Sequence, residues 1–132
     1  MTPAYLAGFF DGEGCVGVYL RNQDKSKSHK YYVLVVSLSQ VGDSGRDLLR
    51  SIQDEYGGSI YKNTSGVWYY TLSANKARAF LLDILPYLVI KQTQAALGLS
   101  FQEEQDKTTN NVMATNIAKE LKDLKKRHLK EI

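Results

Sequence analysis

Apolar and polar residues recur along this chain with two periods, and each change of period marks an element. Thr2-Pro3 opens a first helix, with Thr as N-cap and Pro at the first helical position, where its missing N–H leaves no bond unmade. That helix is expected to reach about Asp11 and to end in Gly12-Glu13-Gly14. Over residues 14–21 the period becomes two. Val16, Val18 and Leu20 point one way, and Cys15, Gly17, Tyr19 and Arg21 the other. Residues 22–30 are too polar for a strand interior and read as a long hairpin loop. Residues 31–40 then set Tyr32, Leu34, Val36 and Leu38 on one face, against Tyr31, Val33, Val35, Ser37 and Ser39 on the other.

Gly42-Asp43 starts a helix whose stripe is Leu48, Leu49, Ile52 and Tyr56, closed by Gly57-Gly58. Residues 59–63 and 67–72 flank Thr64-Ser65-Gly66, a second hairpin. Ser73 caps the next helix, which carries Ala77, Phe80, Leu81, Ile84 and Leu85 at helical spacing until Pro86 stops it. A further helix is expected from Tyr87 to roughly Glu104, then a linker at 105–111. A last amphipathic helix at 112–130 turns Ile117, Leu121 and Leu124 inward and a basic face outward. The order predicts one α+β domain over residues 1–132. It has an αββαββα core, a four-stranded antiparallel sheet with helices on one face, and C-terminal helices.

The face of the sheet left without helices is chemically distinctive. It is expected to show Tyr19, Arg21, Tyr31, Ser37, Tyr61, Asn63, Tyr69 and Thr71, beside a loop carrying Lys25 and Lys27. Nine tyrosines against four phenylalanines give flat apolar faces with polar tips, suited to a wet interface. A net charge of +3 hides strong segregation. Residues 21–32, 62–91 and 119–131 each sum to +3, while 1–20, 43–55 and 102–107 each sum to −2. Such a surface fits a polyanion, and antiparallel ribbons can enter the DNA major groove. A plain polar outer face is the alternative reading.

Other chemistries are excluded by what is missing. One cysteine, Cys15, allows no intrachain disulfide and no cysteine-based zinc site, which fits a reducing compartment. His29 and His128 are isolated, so no zinc-nuclease spacing exists, and no phosphate-binding Gly loop or nucleophile elbow occurs. No apolar run is long enough for a membrane span, and the N-terminus lacks the basic start of a secretory signal. The expected location is intracellular, with no small-molecule substrate.

The first helix carries two unlike stripes. Leu6, Phe9 and Phe10 are bulky, whereas Ala4, Gly8 and Gly12 recur every four residues with almost no side chain. Interior Gly costs a helix about 1 kcal/mol against Ala, so the stripe fits close approach of another backbone. That backbone could belong to another helix of this domain or to the same helix of a second subunit. Leu6-Ala7-Gly8-Phe9-Phe10-Asp11-Gly12-Glu13-Gly14 resembles the LAGLIDADG motif of homing endonucleases, in the variant with Glu at the second acidic position. The element order fits too. The run Leu85-Pro86-Tyr87-Leu88-Val89-Ile90-Lys91-Gln92-Thr93-Gln94-Ala95 is similar to the segment after the second hairpin in single-motif, homodimeric members.

The resemblance implies a homodimer whose paired motif helices bring Ala4, Gly8, Asp11 and Gly12 to the interface and join two sheets into a DNA-binding saddle. It implies a Mg²⁺-dependent endonuclease (Mn²⁺ in its place, Ca²⁺ binding without cleavage) that cuts a pseudo-palindromic duplex and leaves short 3′ overhangs, in the service of an intron or intein. Glu13 and the Gly12 carbonyl would hold the metal, Gln40 would position water, and Lys91 would stabilise phosphate charge. Asp11 would be structural, hydrogen-bonding around the partner helix end. The family's further basic residue falls on Ser44 here, with Arg46 the nearest substitute. The same fold kept for binding alone, as an RNA maturase or a DNA-binding regulator, is the competing function. A dimerisation module without nucleic acid is a third.

Overall fold

A computed structural model describes residues 1–22, 30–107 and 111–131, so Lys25 and Lys27 lie outside the described residues. The elements are α1 (Pro3–Glu13), β1 (Gly14–Asn22), β2 (Lys30–Val41), α2 (Gly42–Tyr56), β3 (Ser59–Lys62) and β4 (Val67–Ser73). Then come α3 (Ala74–Ile84), a single 3₁₀ turn (Leu85–Tyr87), α4 (Gln92–Lys107) and α5 (Asn111–Glu131). The strands form one antiparallel sheet in the order β1-β2-β4-β3. The predicted α+β order is therefore what the chain adopts.

Strict alternation puts Val16, Val18, Leu34, Val36, Leu38, Tyr70 and Leu72 on the helix side of the sheet, all buried. Against them pack Phe10 of α1, Leu49 and Ile52 of α2, and Phe80, Leu81 and Ile84 of α3. Phe80 is the hub. Its ring meets the edge of Phe10 at 5.6 Å and of Tyr56 at 5.1 Å between centroids. Gly98 lets α4 lie close to the sheet, since a Cβ there would sit 2.9 Å from Leu34 and 3.0 Å from Val16. The last helix seals the β1 edge with Ile117 and Leu121.

Strand ends and the start of the last helix, at Asn111 inside the expected linker, shift by a residue, and two helices differ by more. The first helix runs two residues further, to Glu13. The fourth begins at Gln92, not Tyr87, and continues through residues 105–107 of the expected linker to Lys107. Leu88 is extended, and the backbone nitrogens of Val89, Ile90 and Lys91 bond to Asp11 instead of starting a helix. Ser73 occupies the N-cap position of α3 without a side-chain bond.

Candidate functional site

Thr2 sets the start of α1, its Oγ1 accepting the Tyr5 N–H at 3.2 Å. Leu6, Ala7 and Phe10 bury one side of the helix, while Ala4, Tyr5, Gly8 and Gly12 are exposed on the other. A Cβ built on Gly8 or Gly12 would meet nothing within 4 Å. No described element of this chain packs against the small-residue stripe, which removes the same-domain reading. The helix stops at Glu13 because Gly14 turns extended and returns its N–H to the Phe10 carbonyl. Any side chain at Gly14 would strike the Phe10 ring, 2.2 Å away. Glu13 is thereby left exposed at the helix end, where the chain enters the sheet.

The Asp11 carboxylate is engaged within its own chain. Its Oδ2 accepts the Val89 N–H at 2.9 Å, and its Oδ1 accepts those of Ile90 at 3.1 Å and Lys91 at 2.9 Å. Three peptide donors converging on one carboxylate fix the approach to α4. Lys91 answers in kind, its ammonium donating to the carbonyls of Phe10 at 3.2 Å and Asp11 at 2.9 Å. Those carbonyls belong to the last turn of α1, where partners are otherwise lacking and the dipole favours a cation. Burial pushes the Lys91 pKa down and the charge of Lys125 adds to that, against the raising influence of Asp11, Cys15 and Glu13. Lys91 is thus held against the last turn of α1, the helix that ends in Glu13.

Gln40 is not joined to them by any described hydrogen bond. It lies at the end of β2, and its Cβ would sit 2.6 Å from a Cβ on Gly45, so it rests on the first turns of α2. Arg46, the substitute for a basic residue at Ser44, is neutralised on its own helix by Asp47 at 3.1 Å and Asp43 at 3.5 Å.

The open sheet face carries Arg21, Tyr31, Ser37, Tyr61, Tyr69 and Thr71 as expected, whereas Asn63 lies beyond the end of β3. Register aligns Cys15, Ser37, Thr71 and Ser59 in one row, and Ser39, Tyr69 and Tyr61 in another, with Tyr19 beside Val33 and Arg21 beside Tyr31. The rings of Tyr61 and Tyr69 stack at 5.3 Å, and Arg21, Tyr31 and Tyr61 are exposed. Asn63 plays a different part. Its Oδ1 accepts from the Ser65 and Val67 backbone nitrogens and the Ser65 hydroxyl, so it shapes the second hairpin turn. Tyr19 turns back along β1 instead of projecting, its ring and hydroxyl taking the space that a Cβ on Gly17 would fill.

For a divalent cation, one chain offers the Glu13 carboxylate and the Gly12 carbonyl. Among the described residues no group of three or more His, Cys, Asp or Glu could hold a metal. Two hard oxygens suit an ion that keeps most of its waters, as Mg²⁺ does. Lys125 of α5 reaches the Tyr19 hydroxyl on β1 at 3.4 Å, and sequence periodicity gives no sign of it.

The family described as LAGLIDADG endonuclease matches residues 6–91. DNA endonuclease I-CreI of Chlamydomonas reinhardtii is 32% identical over 101 residues, which is 76% of this chain and 61% of that one. The chain therefore spans about three fifths of that curated relative. Among solved structures, homing endonuclease I-CvuI, in complex with the I-CreI target in 2 mM Mg with the DNA not cleaved, superposes with a TM-score of 0.79. That similarity has 24% identity and covers 92% of this chain and 80% of that one. Homing endonuclease I-TnaI gives 0.70 at 20% identity, covering 99% and 97%. In these last two the likeness is of fold. With the motif helix, the sheet and the acidic helix end all in place, the chain belongs to the LAGLIDADG endonuclease family.

Proposed function

We propose that this protein is a divalent-metal-dependent DNA endonuclease that acts as a homodimer on a pseudo-palindromic duplex. The observation that carries the reading is the open stripe of α1, with Glu13 standing at its end. Pairing two chains through Ala4, Gly8 and Gly12 brings two Glu13 carboxylates side by side and sets two sheets into one saddle. Val89 and Ile90, 84% and 53% exposed beside Asp11, supply apolar surface at the same flank. Two crowded carboxylates repel, and a cation between them relieves that.

When bound, Mg²⁺ polarises the phosphate and activates a water for hydrolysis. Glu13 and the Gly12 carbonyl would hold it. Lys91, fixed by Phe10 and Asp11, meets the negative charge that grows on the phosphate. Tyr31, Tyr61, Tyr69, Ser37, Thr71 and Arg21 face the groove. The occupied guanidinium of Arg46 favours one second reading, binding without cleavage as a maturase or regulator. Incubation with a randomised duplex library in Mg²⁺ decides between them. Cleavage lost in chelator, and lost in Glu13→Gln with DNA binding retained, supports the nuclease. Sequence-selective binding with no cut in Mg²⁺ or Mn²⁺ supports the binder.

A further inference from the structure

The open sheet face changes character along its length. Gly14 pairs with Leu38, so Ser39 stands level with Glu13, and its row continues through Tyr69 to Tyr61. The next row outward joins Cys15, Ser37, Thr71 and Ser59. Beyond it Gly17 pairs with Val35 and Tyr19 with Val33, and only then comes Arg21. From Glu13 out to Arg21, the odd-numbered strand positions that form this face carry no Arg, Lys, Asn, Gln, Asp or Glu among the described residues. The largest exposed side chain of this neutral stretch is Tyr61, on the outermost strand. It is 53% exposed, and its ring lies 5.3 Å from that of half-buried Tyr69, with 17° between the planes.

In the major groove that neutrality has a chemical meaning. Guanine is read by the donors of Arg or Lys, adenine by the amide of Asn or Gln, and cytosine by a carboxylate. The inner face supplies none of these. It supplies hydroxyls, which bond to any base pair, and apolar carbon, which finds only the thymine methyl among the base edges. Stacking on Tyr69 fixes the Tyr61 ring before DNA arrives, so little rotamer freedom is left to lose on binding. We infer that Tyr61, backed by Tyr69, is a specificity-determining residue for the base pairs on the central side of the Arg21 position, and that it selects thymine by its methyl group. This rests on the endonuclease reading and names what the inner half of that site prefers.

The test uses the full chain and the duplex that the wild type selects from the randomised library by cleavage. Each thymine selected on the central side of the Arg21 position is exchanged for uracil, which pairs alike and lacks only the methyl. Binding of the wild type in Ca²⁺ is expected to weaken about fourfold with one half-site exchanged and about 15-fold with both, the scale of one buried methyl-sized group per half-site. The exchange leaves the protein unaltered, so no folding defect can imitate it. Tyr61→Ala should bind the thymine and uracil duplexes equally, whereas Tyr61→Phe, which keeps the ring, should retain the wild-type difference. The inference is overturned if the selected duplex has no thymine at these positions, or if the wild type binds both duplexes alike. A uracil effect that persists in Tyr61→Ala overturns it too, since another residue then meets the methyl. So does an effect lost in Tyr61→Phe, since the hydroxyl is then the reader. In all these outcomes the nuclease reading stands, whereas a wild type that selects no duplex removes both together.

Discussion

Lys91 and Asp11 hold each other twice: the Lys91 N–H donates to Asp11 Oδ1 at 2.9 Å, and the Lys91 ammonium donates to the Asp11 carbonyl oxygen at 2.9 Å. The first acid of the motif is therefore a clamp between the end of α1 and the approach to α4. It gives Lys91 a fixed place without spending its own carboxylate on a ligand.

Asp11→Asn should expose this role. The amide keeps the shape but loses the charge, and its NH₂ cannot accept from the peptide nitrogens it would face. Leaving such donors short of a partner costs about 1–3 kcal/mol. Urea unfolding should show that loss with an unchanged slope, and Lys91-dependent cleavage should fall with it. Unaltered stability would mean the three N–H bonds contribute nothing net.

The motif helix, both hairpins and the inward stripes are legible in the sequence, because periodicity and glycine placement are local signals. The start of α4 is not. Leu88, Val89 and Ile90 look like the inside of an apolar helix. Yet the acceptor that holds their segment open is Asp11, which lies 78 residues before Val89 in the chain. Alternation assigns Asn63 to the sheet face, although the hairpin turn claims its oxygen. In the sequence Lys125 is one lysine among several on a basic face. Only the way α5 packs on the β1 edge singles it out.

Gly8→Leu separates folding from assembly. A Cβ at Gly8 meets nothing within 4 Å and the position is exposed, so the melting temperature of the isolated chain should hardly move. Across an isologous interface the same leucine appears twice and forces two backbones apart. Overpacking of this kind costs about 1–3 kcal/mol per site or more. Sedimentation should show a folded monomer for the variant and the proposed dimer for the wild type. A variant that stays dimeric would place the interface elsewhere.

Alkaline pH should weaken the core around Phe80. The Tyr56 hydroxyl donates to Asp83 at 2.7 Å, and burial, that bond and the Asp83 charge push its pKa up. Burial does the same to Tyr70. In the unfolded chain a tyrosine ionises near its ordinary value of about 10. Both folded values lie above that, so their contribution to stability is complete below about pH 10 and falls as pH climbs toward the folded values. Tyr56→Phe should flatten part of this decline. Unfolding curves between about pH 9 and pH 11.5 that coincide for wild type and variant would show that Tyr56 ionisation is not linked to unfolding.

Arg21 tests how the sheet face meets DNA. It stands eight residues beyond Glu13 along β1, opposite Tyr31 and exposed. At roughly 3.3 Å per residue this is about 26 Å from the helix end. With base pairs spaced about 3.4 Å apart, Arg21 would reach about eight pairs out from the centre of the target. Arginine there suits a guanine edge in the major groove, so Arg21→Ala should relax one position per half-site at about 1–3 kcal/mol. Lys25→Ala with Lys27→Ala should act differently. Removing two ammonium groups that neutralise phosphates weakens binding to every sequence and lowers the salt slope by about one for each phosphate released. A two-fold protein must show the Arg21 relaxation twice, mirrored about the centre. Selection on randomised half-sites reads this directly. Relaxation on one side only would remove the homodimer, and relaxation near the centre would remove the proposed direction of β1 along the groove.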